Sequence, residues 1–402
     1  MTKEIVILPG QRTPFGAFGG GLKDLSATSL AVFASKAAIE KAGISPASVD
    51  HVIFGNVAQT SLDAPYLARH VGLHVGVPME VPAYTLNRLC GSGFQAVINA
   101  AEEILADEAE MVLAGGTENM SQSPYIVKGA RWGIRMGPTE LQDALWGALT
   151  DSYAGLPMAL TVEGLAKQKG VSRKEADDYA LRSQMAYKSA LEKGYFDEEI
   201  SPIEILDARG NKKVFRNDEH PKPESTLEGL SKLKSLFVKE GVVTAGNASG
   251  ITDGAAAMVV TSSQAANRLK VKPIGRLLGW GVSGCDPKIM GIGPALAIPK
   301  ALKKVGMSLD EMDLVEVNEA FAAQYVAVEK TLKLNREIMN VNGGAIAVGH
   351  PLGASGARII MHLLYELRRR KKKYGIGSAC IGGGQGIAVV VEALQDSSFS
   401  YC

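Results

Sequence analysis

The stretch NRLCGSGFQAV, residues 87–97, places a cysteine directly before a Gly-Ser-Gly turn and an apolar helical pattern. Only four cysteines occur in the 402 residues, so Cys90 stands in an unusual position. The positive end of a helix dipole favours a thiolate, which is a strong nucleophile. Gly91 would let a ligand or acyl group approach it. The alternative is that Cys90 is a small buried hydrophobic residue.

Three further loops combine glycines with polar or reactive side chains: VNEAF (317–321), GGAIAVGHPLGASG (343–356) and SACIGGGQG (378–386). His350 in its Gly-His-Pro turn could deprotonate a thiol or stabilise an oxyanion, or it could be an exposed turn residue. Cys380 ends an apolar strand where backbone N–H groups become free to bind an anion, or it is a buried strand cysteine. Asn318 could orient water or substrate, or form a helix cap with Glu319.

The remaining composition excludes several classes of protein. Cys285 has a weaker context and Cys402 is assigned no role. The cysteines show neither C-x-x-C pairs nor zinc spacing, so we expect a reducing compartment, no disulfide framework and no metal. A net charge of +1 gives no electrostatic case for nucleic acid. Neither a presequence nor a long apolar run stands out, so no membrane segment is expected.

The chain contains an internal repeat. KAGISPASVDHVIF begins at Lys41, and KKVGMSLDEMDLVEV begins at Lys303. An offset of 263 positions, from Lys41 to Lys304, aligns further pairs: Gly43 with Gly306, Ser45 with Ser308, Asp50 with Asp313, and Ser92-Gly93 with Ser355-Gly356. Each Ser-Gly pair opens an apolar helical pattern followed by an apolar strand that ends in glycines.

The repeat predicts two homologous α/β halves, residues 1–120 and 251–402. Each half should be a mainly parallel sheet covered by helices. Residues 121–250 carry charged stretches and are predicted to be an inserted domain of helices and long loops, of the kind that often holds a ligand or an interface. His350 occupies the position equivalent to Asn87, so its loop is expected opposite the Cys90 loop.

These stretches, together with GGTENMSQ and TAGNASGITDGAAA, resemble the signature motifs of the thiolase family, in order, from about residue 5 to 393. The resemblance is greatest to the branch of mitochondrial 3-ketoacyl-CoA thiolases and bacterial acetyl-CoA acetyltransferases. It implies a five-layered αβαβα fold built from two similar halves with an inserted loop domain. It also implies an enzyme that uses coenzyme A or acyl-CoA as substrate without a permanently bound cofactor. The implied assembly is a homotetramer, a dimer of dimers, with a dimer as the alternative.

The resemblance also implies a role for each site residue. Cys90 resembles the acylated nucleophile, and His350 the group that takes its proton. Cys380 resembles the acid/base at the α-carbon of acetyl-CoA, and Asn318 the residue that holds an oxyanion-hole water. The N–H groups of Cys90 and Gly382 would form a second oxyanion hole. Two thiols suit a reversible Claisen reaction, because one carries the acyl group and the other protonates a carbanion equivalent.

Matching positions suggest a tunnel for coenzyme A formed by Ser249, Ala245, Phe237, Lys222, Leu149, Met158 and Phe321. At two positions of or beside this tunnel, the residue differs from the one that is typical of biosynthetic thiolases. Pro157 replaces a typical histidine, which implies a broader range of acyl lengths than acetoacetyl-CoA alone. Lys222 replaces an arginine and would meet a phosphate as a point charge without a bidentate fork.

The leading prediction is an acyltransferase of the thiolase type, an acetyl-CoA C-acetyltransferase or C-acyltransferase acting by a ping-pong mechanism. One alternative is a decarboxylating ketoacyl synthase-like condensing enzyme, against which the second cysteine argues. The others are a non-catalytic CoA- or lipid-binding scaffold and a cysteine hydrolase. A bacterial cytoplasmic location is expected, with the mitochondrial matrix as the alternative. The acyl length and the degradative or biosynthetic direction stay open.

Overall fold

The computed structural model describes residues 3–206 and 210–395, so Cys402 lies outside the described residues. Twelve α-helices occur within these ranges: α1 (Ala27–Ala42), α2 (Leu67–Val75), α3 (Ser92–Leu105), α4 (Ala144–Ala148), α5 (Met158–Lys169), α6 (Arg173–Glu192), α7 (Leu227–Ser231), α8 (Ser263–Leu269), α9 (Gly293–Val305), α10 (Ala322–Leu332), α11 (Ala345–Val348) and α12 (Ser355–Arg369). The two helices predicted from the repeat, after residues 91 and 354, are confirmed as α3 and α12.

The described residues also form seventeen strands: β1 (Ile5–Ile7), β2 (Gln11–Arg12), β3 (Gly16–Ala17), β4 (His51–Gly55), β5 (Ala83–Leu86), β6 (Met111–Glu118), β7 (Tyr125–Ile126), β8 (Gln142–Asp143), β9 (Thr150–Asp151), β10 (Leu156–Pro157), β11 (Ile203–Leu206), β12 (Lys212–Phe215), β13 (Thr252–Ser262), β14 (Gly275–Gly284), β15 (Leu314–Val317), β16 (Tyr374–Ile381) and β17 (Gln385–Ala393). Strand pairing is continuous in the order β15-β16-β17-β14-β1-β13-β6-β4-β5, and β2 and β3 also pair with β13.

The expectation of a mainly parallel sheet is wrong. Only β4–β5, β4–β6 and β15–β16 are parallel among the main-sheet pairs, and the others are antiparallel. Residues 382–384 join β16 directly to β17, and so short a connection permits only an antiparallel pair. β13 is buried along its whole length, and its middle, residues 254–260, has the unbroken apolar sequence that parallel strands usually show.

The layers follow from which faces the strands bury. Along β13, Ala255, Ala257 and Val259 pack with the outer helices α1 and α2. The alternate residues Met258 and Val260 pack in a central core with α3 and α12, which lie between the strands of the two halves. A third core joins α9 and α10 to the outer face of the second half. The order is helix, sheet, helix, sheet, helix, as predicted.

The division between the halves lies near β13. This strand follows the inserted region in sequence, yet it pairs with β1 and β6, which belong to residues 1–120. Residues 121–250 form α4 to α7, three two-stranded sheets (β7–β8, β9–β10 and β11–β12) and the loops between them. The boundaries 1–120, 121–250 and 251–402 stay a prediction, and the pairing of β13 gives the sheet of the first half a strand from beyond residue 250.

Candidate active site

Cys90 lies in a tight turn between β5 and α3. Leu89 just before it has a positive φ of 47°, which reverses the chain direction at this point. The hydroxyl of Ser92 fixes the turn, since it accepts from the N–H of Arg88 at 2.8 Å and donates to the carbonyl of Leu89 at 2.7 Å. A Cβ on Gly91 would lie 2.6 Å from Cδ1 of Ile381. The space beside Gly91 is therefore filled by β16, and the expectation that it accommodates an acyl group is wrong.

Cys90 carries a protonated thiol at neutral pH. Burial raises its pKa to about 11 and outweighs the backbone N–H groups of Gly382 and Cys90, which lower it. The helix start was expected to stabilise a thiolate, but desolvation disfavours the charged form more strongly. The thiol therefore needs a base before it can act as a nucleophile. The N–H groups that interact with its sulfur are the two that were predicted to form an oxyanion hole.

His350 is buried, only 5% exposed, so it is not an exposed turn residue. Its Nδ1 lies 2.6 Å from Oγ of Ser355, whose hydroxyl donates to the carbonyl of Pro351 at 3.1 Å. Because that hydroxyl is used as a donor, Nδ1 carries the ring proton and Nε2 keeps a lone pair. Burial and the charge of Arg358 lower the pKa of His350 to about 3, so the ring is neutral. Such an imidazole can accept a proton at Nε2.

Asn318 follows β15 and reaches His350. Its Nδ2 lies 3.2 Å from Nε2 of His350, and its Oδ1 is buried without a hydrogen-bond partner among the described residues. The next helix, α10, has Phe321 at its N-cap, so the helix-cap reading of Asn318 and Glu319 is wrong. A buried amide oxygen with an unused acceptor is suited to hold a water or a polar substrate group.

Glu319 connects the inserted region to the loop that precedes His350. Its carboxylate accepts from the hydroxyls of Tyr179 at 2.7 Å and Ser183 at 2.6 Å, both on α6. It also accepts from the N–H of Ile346 at 3.1 Å and from Nδ2 of Asn340 at 2.9 Å. This side chain fixes the position of its neighbour Asn318, a role that the sequence alone did not indicate.

Cys380 lies fully buried near the end of β16, opposite Gly386 of β17. Burial raises its pKa well above the usual range, and the nearby thiols of Cys90 and Cys285 act in the same direction. Cys380 is therefore a buried strand cysteine that also lines the cavity, and its role in the chemistry stays a prediction. Gly382 follows the strand, and its N–H interacts with the sulfur of Cys90.

Cys90, His350 and Cys380 line one largely apolar cavity of about 400 Å³. Five of the positions predicted to bind coenzyme A line the same cavity: Leu149, Met158, Phe237, Ser249 and Phe321. Ala245 and Lys222 do not line it and are exposed. The cavity thus brings the three reactive side chains together with residues of both halves and of the inserted region.

Sequence reasoning missed several residues of this cavity, namely Phe18, Met120, Leu145, Trp146, Ile251, Met290 and Leu352. Trp146 stacks on Phe237 with ring centroids 6.4 Å apart. These apolar side chains come from loops and short helices that show no periodic pattern. Ser355 was noted only as part of the repeat, although its place five residues after His350 at a helix start is the signal that could have indicated its contact with the ring.

Residues 3–206 and 210–395 contain neither a metal-binding cluster nor a membrane-spanning helix. No group of three His, Cys, Asp or Glu side chains there is arranged to hold a metal ion. Across the same residues, no helix combines the length and apolar character required to cross a membrane.

Comparison with known protein families gives two adjoining matches. Residues 5–264 match the model of the thiolase N-terminal domain, and residues 271–393 match the model of the thiolase C-terminal domain. The first match ends just after β13, in agreement with the pairing of that strand with the first half.

Similar proteins cover almost the whole chain. The human mitochondrial 3-ketoacyl-CoA thiolase is 56% identical over 98% of this chain and 99% of its own. An acetyl-CoA acetyltransferase of Syntrophomonas wolfei is 46% identical over 98% of this chain and 100% of its own. The crystal structure of the human enzyme superposes with a TM-score of 0.96, covering 98% of this chain and 100% of that one. The chain, with its two cysteines and histidine around one cavity, belongs to the thiolase family.

Proposed function

We propose that the chain is an acyltransferase that interconverts 3-ketoacyl-CoA plus CoA with acyl-CoA plus acetyl-CoA. The observation that carries this proposal is the meeting of two protonated thiols and a neutral imidazole in one apolar cavity. A single nucleophilic cysteine would suffice for simple acyl transfer. A second acid/base group, a role that a thiol can fill, is required where a carbon acid must gain or lose a proton.

In the first half-reaction, Nε2 of His350 takes the proton of Cys90 as the sulfur attacks the keto carbon of the substrate. The thiolate and the imidazolium form together, so each stabilises the other in a cavity of low polarity. The N–H groups of Cys90 and Gly382 donate to the oxygen that becomes negative, a contribution typically worth about 3 kcal/mol for each donor. Both N–H groups already interact with the Cys90 sulfur.

Cleavage of the carbon–carbon bond leaves the acyl group on Cys90 and gives the enolate of acetyl-CoA. The enolate oxygen accepts from Nε2–H of His350 and from a water that Asn318 holds through its Oδ1. The buried acceptor on Asn318 supports that assignment. Cys380 donates its proton to the α-carbon, and acetyl-CoA leaves. The high pKa of the Cys380 thiol keeps it protonated until the carbanion forms.

In the second half-reaction, the Cys380 thiolate takes the thiol proton of CoA, and the CoA sulfur attacks the acyl group on Cys90. The Cys90 sulfur then leaves and regains its proton from His350, which regenerates the free enzyme. We propose that CoA enters along Leu149, Met158, Phe237, Ser249 and Phe321. Exposed Lys222 would meet a phosphate farther from the reacting centre, with Ala245 beside the entrance. One solved structure of the human mitochondrial enzyme, similar to this chain with a TM-score of 0.95, is a complex with CoA.

Pro157 lines the cavity, and we propose that this position permits acyl groups longer than acetyl. Assembly as a homotetramer, a dimer of dimers, is proposed on the same family grounds. The compartment, bacterial cytoplasm or mitochondrial matrix, also stays a prediction. The similar proteins include a human mitochondrial enzyme and a bacterial enzyme.

The proposal is tested by steady-state kinetics of the purified full chain with acetoacetyl-CoA or longer 3-ketoacyl-CoAs and CoA. Parallel double-reciprocal lines and the release of acetyl-CoA are expected from a ping-pong cycle. The decarboxylating alternative would instead form carbon–carbon bonds only from a malonyl thioester. A scaffold would show no turnover with either set of substrates. Either of these results would overturn the proposal.

A further inference from the structure

Phe18 has an unusual position for an aromatic residue. It is 55% exposed, yet it lines the cavity that holds Cys90, Cys380 and His350. It directly follows β3 and precedes three consecutive glycines. A large apolar side chain that is both exposed and part of a cavity wall lies at the rim, where a bound ligand would cover it.

The backbone around Phe18 is held in place from the inserted region. One carboxylate oxygen of Glu219 accepts from the N–H groups of Ala17 and Gly21, each at 3.0 Å. A Cβ on Gly20 would lie 2.1 Å from the same oxygen, so only glycine fits between these two anchors. The carboxylate therefore spans the base of the loop whose tip carries the aromatic ring.

The tip of the loop has two anchors of its own. The N–H of Phe18 donates to the carbonyl of Ile251 at 3.1 Å, and that of Gly19 donates to the hydroxyl of Ser121 at 2.8 Å. Ser121 in turn hydrogen-bonds to the carboxylate of Asp253 through both its N–H and its hydroxyl. A loop fixed at so many points presents the Phe18 ring in one place at little entropic cost.

An apolar path connects this ring to the nucleophile. Met120, Leu145 and Leu352 form a small buried cluster, here called the acyl wall, and Cys90 and Ile251 pack against it. All five residues line the cavity. An acyl group on the Cys90 sulfur therefore has the acyl wall beside it, and Ile251 continues the path to the backbone contact with Phe18.

We propose that Phe18 is a specificity-determining residue that selects for long acyl groups. The first carbons of the acyl group contact the acyl wall, and carbons beyond it pack on the Phe18 ring at the rim. A short acyl group ends within the wall and does not reach the ring. The inference rests on the proposed thiolase reaction and identifies the part of the site that determines selectivity for acyl length.

The experiment compares kcat/KM for thiolysis of acetoacetyl-CoA and of a straight-chain 3-ketoacyl-CoA of about twelve carbons. The proteins are the wild type, Phe18→Ala, Phe18→Leu and the control Phe33→Ala. Phe33 on α1 is also exposed, at 39%, but does not line the cavity. We expect Phe18→Ala to lose about tenfold with the long substrate and less than about twofold with acetoacetyl-CoA, since it removes contact with a rim aromatic ring. Phe18→Leu should retain most of the long-chain rate.

Two results would overturn the inference. An equal loss at both lengths would mean that Phe18 does not read acyl length, and a gain with the long substrate would make it a barrier instead of a contact. The wild-type measurement keeps this test separate from that of the proposed function. If the wild type cleaves neither substrate, the thiolase reaction itself fails, whereas an active wild type with an unchanged length ratio in Phe18→Ala refutes only the role of Phe18.

Discussion

Gly93 and Gly356 lie against each other where α3 and α12 begin. A Cβ on Gly356 would lie 2.1 Å from the backbone nitrogen of Phe94, and one on Gly93 would lie 2.6 Å from that of Ala357. The two glycines are also equivalent in the internal repeat, so the halves meet at the same residue of each copy. This contact brings the helix that follows Cys90 next to the helix that follows His350.

The close approach predicts that Gly356→Ala is severely destabilising. The added methyl group meets backbone atoms, which cannot move aside as a flexible side chain would, and overpacking of this kind costs about 3 kcal/mol or more. Denaturant unfolding of the two proteins measures the difference. Gly164→Ala, within α5, is the matched control, because its Cβ would lie 3.7 Å from the carbonyl oxygen of Lys288, an ordinary van der Waals contact. A Gly356→Ala variant within about 1 kcal/mol of the wild type would contradict the contact.

Ser355 is predicted to be a positioning residue for His350. Without its hydroxyl, Nδ1–H of the ring loses its acceptor, and the ring is no longer held with Nε2 free to act as a base. We expect Ser355→Ala to lower kcat by about 10- to 100-fold, the equivalent of one or two buried hydrogen bonds, with KM little changed. Steady-state measurement of kcat and KM for the wild type and Ser355→Ala tests this prediction. A rise in KM at unchanged kcat would show that the hydroxyl serves binding instead.

The pH dependence of the acylation rate should follow the protonation of Glu118. Its carboxylate accepts from the N–H groups of Ala58 and Gly353, each at 2.9 Å. Gly353 lies three residues after His350 in the chain. Burial raises the pKa of Glu118 to about 7, whereas that of His350 is lowered to about 3 and that of Cys90 is raised to about 11. Below pH 7 Glu118 is protonated and loses acceptor capacity, so the loop that carries His350 is held less firmly.

The rate of Cys90 acylation should therefore fall as the pH decreases through about 7. Neither His350 nor Cys90 changes its charge between pH 5 and 9, since a lowered histidine pKa and a raised thiol pKa leave both neutral there. Stopped-flow acylation across that range measures the profile. Glu118→Gln should remove the inflection. The same inflection in the variant would assign the titration to another group.

Cys380→Ala separates the two half-reactions. Acylation of Cys90 by acetyl-CoA uses the second thiol only to protonate the departing CoA, a proton that water can also supply, whereas exchange of the α-protons of acetyl-CoA requires it. We expect the variant to retain partial acylation and to lose exchange with deuterated solvent, followed by NMR. Cys285→Ala is the control, because its sulfur lies outside the cavity lining. Undiminished exchange in Cys380→Ala would refute the acid/base role.

Much of the site was predictable because its residues occur in glycine-rich loops at the ends of buried strands. The repeat placed the His350 loop opposite Cys90, and the structure has both residues in one cavity. The state of the Cys90 thiol was not predictable, since desolvation depends on tertiary packing that a local helix-start pattern does not contain. The antiparallel pairing of β13 was not predicted for a related reason: burial of both faces removes the alternation that identifies an antiparallel strand.

The place of Phe18 and the acyl wall in the cavity also could not be predicted from the sequence. Their residues come from separate loops around β3, β6, α4 and the His350 turn, and none shows a periodic pattern. Only the folded chain brings them beside Cys90.

The role of Cys90 is tested most directly by intact-mass and peptide-mass analysis of the wild type and Cys90→Ala after incubation with acetyl-CoA. We expect one acetyl group per wild-type chain, on the peptide that contains Cys90, and its removal on addition of CoA. Cys90→Ala should carry none. Acetylation of the variant at another cysteine, or a wild type that remains unmodified while it turns over 3-ketoacyl-CoA, would contradict the central claim that Cys90 carries the acyl group.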